Sequence, residues 1–242
     1  MTQKLTHFQC VGEFHEVFDY PVRTEEYDDV FEEDPKLLRS RVAFLREERD
    51  EFVEAYRTND VVEMADALCD LLYFAYGTGQ CLGLVLDYSP DNDMSVTPVD
   101  LDTNVPKDVA QTEANVIGTK LEMINVYIDS IEEQMTGSNM RQIRHFLELL
   151  IDKTYELGYA LHFDMDAMFR EVHRSNMTKV CTTCEDAEES VRRYKEAGTY
   201  AKPVVRTKGD YFLVYDEELN KILKYYKWEE PRLAQFMGSE FK

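Results

Sequence analysis

Apolar residues recur at helical spacing along most of the chain. Val42, Leu45, Phe52 and Tyr56 gather on one side of one helix, and Met64, Leu68, Leu71 and Leu72 on one side of the next. The spacing predicts a first helix from about residue 36 to Tyr56, opened by Pro35, where a missing N–H does no harm. Thr58, Asn59 and Asp60 supply a turn and cap, and the second helix ends near Leu82 and Gly83. Two further helices are predicted over about 115–135 and 139–161, with Thr136, Gly137 and Ser138 between them. Upstream, VGEFHEVFDY reads as a short helix in which Phe14 and Phe18 form an i, i+4 core pair, and MDAMFREVHRSNMTKV reads as a helix with a polar end. Residues 87–112 hold three prolines and no apolar period, which predicts a linker. The tail changes character. EDAEESVRRYKEAG predicts a short charged helix, KPVVRT, DYFLVY and KILKYYKW three short strands, and EPRLAQFMGSEFK a frayed end. The chain is therefore mainly α, with a helical domain over 1–180 and an α+β appendage over 181–242.

The polar positions are less ordinary. Glu47, Glu48 and Glu51 share a stripe on the first long helix, and Glu63, Asp66 and Asp70 share one on the second. None of these acids has a basic residue three or four positions away, so each stripe repels itself at a cost of a few tenths of a kcal/mol per pair. An EExxE run among 48 acidic residues is ordinarily a solvated face. Here Phe44, Glu48, Glu51 and Ala55 lie on a seam at bundle-core spacing, and carboxylates in such a seam are costly unless they hold a cation. An all-oxygen ligand set suits Mg2+ or Mn2+.

The two helical pairs also look alike. Setting Arg141 over Glu63 lays Leu149 and Leu150 on Leu71 and Leu72, and Thr136 on Thr58, as an internally duplicated hairpin would. In that alignment the second pair, 113–161, has lost the chemistry of the metal half, 36–83. Val126 stands for Glu48, Asp129 for Glu51, Arg141 for Glu63 and Arg144 for Asp66. Packed together, the hairpins predict a four-helix core. The two arginines could face an anion, although surface placement is the ordinary reading.

Composition narrows the function classes. With 242 residues, 44% hydrophobic and 12% aromatic, the chain can bury a substantial core. A net charge of -21 argues against a nucleic-acid polymer as partner, yet allows a small polyphosphate bridged by metal. No apolar run reaches the roughly 18 residues of a membrane span, and MTQKLTHFQC lacks the apolar region of a secretory signal, so an intracellular, cytoplasmic protein without a membrane partner is expected. Five cysteines are odd in number, and the pair Cys181 and Cys184 has no second CxxC to complete a zinc site. Near the end of the 164–180 helix, His173, Arg174, Ser175, Asn176 and Lys179 form a donor cluster that suits phosphate or sugar oxygens as well as it suits an ordinary polar helix end.

Taken in order, FHEVFDYPV, the EExxE and ExxD of Glu47, Glu48, Glu51, Glu63 and Asp66, and EVHRSNMTKV resemble the all-alpha nucleoside triphosphate pyrophosphohydrolases. That superfamily contains the MazG-type enzymes, phosphoribosyl-ATP pyrophosphohydrolase and the dimeric dUTPases. The resemblance implies a four-helix core of MazG type. It also implies Mg2+, with Mn2+ able to substitute, on Glu48, Glu51, Glu63 and Asp66, and Glu47 as an extra ligand or the water-activating base. Asn176, Lys179, His173, Arg174, His15, Phe14 and Asp70 are the implied substrate-side residues. The implied reaction takes a nucleoside triphosphate, in the first instance a (d)NTP, to the monophosphate and pyrophosphate, in nucleotide-pool control or housekeeping. Compact relatives assemble the core from separate chains, which implies a homo-oligomer, most simply a dimer; the covalent second pair leaves that open. The other class is a catalytically weak metal- or nucleotide-binding protein of the same fold.

Overall fold

The computed structural model describes residues 4–86, 107–219 and 221–237, with side chains from residue 115 onward in the helix that begins at Lys107. Helix α1, His7–Phe18, starts at a capping box in which Thr6 and Gln9 satisfy each other's backbone N–H groups. It begins four residues before the predicted VGEFHEVFDY, because Thr6 is the better cap. A short α2, Val30–Glu33, leads into α3, Pro35–Thr58, where the Asp34 side chain accepts from the Leu37 N–H and Pro35 occupies the first turn. Helix α4, Val61–Leu82, ends at Gly83 with φ 70. A Cβ at Gly83 would lie 1.7 Å from the Glu25 carbonyl oxygen, so both the left-handed turn and the close approach need glycine.

Helices α5, Lys107–Thr136, and α6, Met140–Ala160, form the second hairpin. The α5 helix takes in the last six residues of the predicted linker 87–112, and the remainder, 87–106, lies outside the described residues. Helix α3 packs along α4 and α5 along α6, and the hairpins meet through α3 on α5 and α4 on α6. Their burial patterns match one residue further on than the sequence alignment placed them. Leu38 and Ile117, Leu45 and Ile124, Phe52 and Ile131, Met64 and Ile143, Leu68 and Leu147, and Leu72 and Ile151 are buried pairs. The turns agree, with left-handed Asn59 (φ 57) and Ser138 (φ 52) followed by the capping residues Asp60 and Asn139. In this register Val126 is 54% exposed and Tyr127, not Val126, stands for Glu48, while Gln142 and His145 stand for Glu63 and Asp66. Tyr76 and Tyr155 are also equivalent, and their hydroxyls meet 3.3 Å apart where α4 crosses α6.

Helix α7, Met165–Met177, closes one end against α1 and α4. A small antiparallel sheet follows. Strand β3, Tyr211–Asp216, is its centre, with β2, Pro203–Lys208, along one edge and β1, Val180–Cys181, and β4, Lys221–Ile222, sharing the other. Helix α8, Cys184–Ala197, packs on this sheet around Cys181, Ala187, Val191, Val214 and Leu223. The opposite side of the sheet puts Leu213, Tyr215 and Ile222 against Phe18 of α1. Of the predicted third strand only Lys221–Ile222 pairs. Leu223 still donates its N–H to the Val214 carbonyl at 2.8 Å, and the residues after it leave the sheet as a strap. The tail does not fray at once, since Leu233 and Met237 are 1% and 5% exposed in the helical core and frame a 3₁₀ turn, Leu233–Phe236. No described helix is long and apolar enough to cross a membrane.

Candidate active site

The carboxylates come together because α3 and α4 are antiparallel neighbours whose acidic stripes face one another. Glu48 is the deepest, 8% exposed between Leu45 and Phe52 on the buried side of α3. Asp66 and Asp70 are half-buried on α4, and Glu47, Glu51 and Glu63 open toward solvent. Burial pushes the Glu48 carboxyl up to about 9, with the charges of Asp70, Glu51, Glu47 and Asp66 adding to the effect. Burial likewise raises Asp70 to about 7, helped by Asp66 and opposed by Lys179 and Lys224. Asp66 and Glu51 are raised for the same reason, burial first and neighbouring acids next. Among the described residues, none of the six side chains has a hydrogen-bond or ion-pair partner. That is an unusual condition for buried acid.

A basic flank stands opposite. Lys179, just past α7, is half-buried; burial lowers its pKa, and Asp70 and Asp66 act against that. Its Nζ donates to Asn176 Oδ1 at 2.6 Å, and Asn176 is itself 9% exposed beside Tyr73. Lys224, from the strap after β4, acts on the same acids. The chemistry is that of an all-oxygen cluster facing two ammonium groups. Such oxygens fit a hard divalent cation, and the ammonium groups fit phosphate oxygens. In the geometry at hand, however, no three Asp, Glu, His or Cys among the described residues are drawn close enough to hold a metal between them.

The other candidates fall around this centre in different ways. His173 joins it through Tyr73, whose hydroxyl is 3.0 Å from Nδ1, while Nε2 is 3.1 Å from Glu13. Phe14 stacks edge-on to Tyr73, with ring centroids 5.4 Å apart. Arg174 is occupied with Glu171 and Glu229, an arrangement that ties the strap to α7. His15 stands apart from the carboxylates. Its Nδ1 meets the Pro21 carbonyl at 2.8 Å, and its Nε2 lies against Gly77 beside the buried guanidinium of Arg41. Arg41 donates to Thr78 Oγ1 and the Phe74 carbonyl at 3.1 and 2.7 Å. Arg144 pairs with Glu26 at 2.6 Å and Arg141 is exposed, so neither faces the acids. Sequence reasoning missed Lys224. Its only signal is the three-residue spacing of Lys221, Lys224 and Lys227 in an aromatic stretch, which looked like a strand.

Comparison with known proteins agrees with the helical half of this description. Residues 11–90, which run from within α1 through α4 and include all six acids, match the model of the phosphoribosyl-ATP pyrophosphohydrolase family, part of the MazG-like all-alpha nucleoside triphosphate pyrophosphohydrolase superfamily. An uncharacterized protein of Acanthamoeba polyphaga mimivirus is 28% identical over 244 residues, covering 98% of this chain and 97% of that protein. No solved structure matches.

Proposed function

We propose that the acids of α3 and α4 bind Mg2+, or Mn2+ in its place, and that the chain hydrolyses a nucleoside triphosphate, in the first instance a (d)NTP, to the monophosphate and pyrophosphate in nucleotide-pool control or housekeeping. One observation carries the reading: Glu48, buried and raised to about 9, sits among five other acids that, among the described residues, have no partner, so its charged form lacks the stabilisation that a divalent cation would supply. Glu48, Glu51, Glu63 and Asp66 would hold the metal. When bound, the metal lowers the pKa of an attacking water and shields phosphate oxygens. Exposed Glu47, next to Glu48, accepts the proton of that water. Lys179, steadied by Asn176, takes the phosphate chain from the other side and balances charge as the α–β phosphate bridge breaks. Asp70 sets the depth of the site, and His173 with Phe14 extends it toward Glu13.

The alternative is a nucleotide- or metal-binding protein with little turnover, favoured by the open spacing of the acids. Pyrophosphate release from a panel of common dNTPs, dUTP, rNTPs and phosphoribosyl-ATP, with Mg2+ and with EDTA, separates the two. The enzyme reading expects metal-dependent release peaked on one substrate, and binding of a nucleotide without release would favour the alternative.

A further inference from the structure

Residues 223–230 run from the sheet to the end of α7 and stop beside the acids. They are fastened there at several points: the Ser175 hydroxyl donates to the Glu229 carbonyl at 2.8 Å, the Glu229 N–H donates to Thr178 Oγ1 at 3.1 Å, and Arg174 pairs with the Glu229 carboxylate at 2.7 Å. Between these ties and β4, the Lys224 ammonium rests 3.6 Å from the ring centroid of Trp228. Lys224 is exposed and, among the described residues, has no carboxylate partner, although Asp66 and Asp70 lie within its electrostatic reach. The indole N–H of Trp228 is buried with no acceptor. Thus the Lys224 ammonium stands across from acids that, among the described residues, have no counter-ions, and no ion pair among those residues joins the two sides. A polyanion bound with its metal would match this charge distribution, which sets ammonium groups opposite carboxylates.

We propose that this C-terminal strap is a wall of the nucleotide site, with Lys224 contacting the phosphate chain beside Lys179 and Trp228 forming the surface from which Lys224 reaches. The inference rests on the pyrophosphohydrolase reading and assigns part of the substrate site to a segment beyond the matched residues 11–90. A cation–π contact of this kind is worth about 0.5–2 kcal/mol, less than a charge-assisted phosphate contact in a partly desolvated site, so the ammonium can exchange one for the other.

Trp228 is the chain's single tryptophan, so its emission reports on the strap directly. The test titrates the full chain, with Mg2+, against the α,β-imido analogues of dATP, dGTP, dCTP and dUTP, following Trp228 emission and binding heat in parallel. The expected result is a saturable emission change that tracks the heat. Lys224→Met should weaken binding about 10–100-fold and Lys224→Arg should recover most of it. Lys202→Met, which removes only a surface pair with Glu217, should leave binding unchanged. Binding heat with unaltered Trp228 emission and unaltered affinity in Lys224→Met overturns the strap proposal while leaving the pyrophosphohydrolase reading intact. No binding heat from any analogue, together with no pyrophosphate release from the natural nucleotides, overturns both.

Discussion

After burial itself, the charge of Asp70 on α4 is what most raises the Glu48 carboxyl on α3. The two residues come from helices whose turn, Asn59 and Asp60, sets them side by side. A folded pKa of about 9 against an unfolded value of 4.5 means that the folded state holds a proton the unfolded state has lost. This contribution to stability is complete below pH 4.5 and is lost as pH rises toward 9. In EDTA, the urea midpoint should therefore fall between neutral pH and pH 9, and Glu48→Gln should flatten that fall. Magnesium at 100 times its Kd should restore about 2.7 kcal/mol to the wild type and much less to the variant. A midpoint independent of pH in EDTA would contradict the buried charge.

Acid should destabilise the fold through different residues. Burial holds His7 and His15 at about 4, below their ordinary 6.5, so both stay neutral in the fold and charge in the unfolded chain. Their contribution is present above 6.5 and is lost as pH falls toward 4, by up to about 3 kcal/mol each. Asp166, held at about 2 by Arg170 and Lys4 against its own burial, keeps its contribution until pH falls below 3.8. In denaturation, His15→Gln should reduce the stability lost between pH 7 and pH 4.5 by about 2–3 kcal/mol relative to the wild type, whose net change also carries the opposite gain from Glu48 and Asp70 over that range.

Gly77 marks a second tight spot. A Cβ there would lie 2.5 Å from Arg41 Nη2 and 2.9 Å from His15 Nε2, both side chains being buried. Gly77→Ala should cost about 1–3 kcal/mol of stability, read from the urea midpoint. Gly118→Ala, in the exposed interior of α5 with nothing within 4 Å of the new Cβ, should instead stabilise by about 0.5–1 kcal/mol. Equal effects at the two positions would mean that the Arg41 and His15 packing is looser than described.

The helices and the acidic stripes were legible because period and capping are local properties. Pro35, Asn59 with Asp60, and Gly83 mark their boundaries in the residues themselves. The hairpin repeat was legible too, but one residue out of register, because Leu149 and Leu150 match Leu71 and Leu72 by identity while burial pairs Leu71 with Leu150. Identity of neighbouring leucines cannot fix which of them faces a core. The strap was not legible. KILKYYKW has the β-branched and aromatic content of a strand, yet β3 pairs with only Lys221 and Ile222, and the rest is claimed by α8, where Tyr194 donates to the Lys224 carbonyl, Ser190 Oγ accepts from the Tyr226 N–H and Asp186 accepts from Lys227, contacts set by tertiary packing. For the same reason Leu233 and Met237 looked like part of a loose end until the core that buries them was present.

Product analysis on paired variants asks whether the facing acids of α3 and α4 form a metal-dependent pyrophosphohydrolase site. Wild-type protein, Glu48→Gln and Glu63→Gln would be incubated with the panel's best nucleotide and Mg2+, and pyrophosphate, phosphate and nucleoside monophosphate quantified together. The wild type should give one pyrophosphate per monophosphate and no free phosphate, and both variants should lose at least about 100-fold with helical content unchanged. Turnover at the wild-type rate in both variants, or release of phosphate in place of pyrophosphate, would contradict such a site.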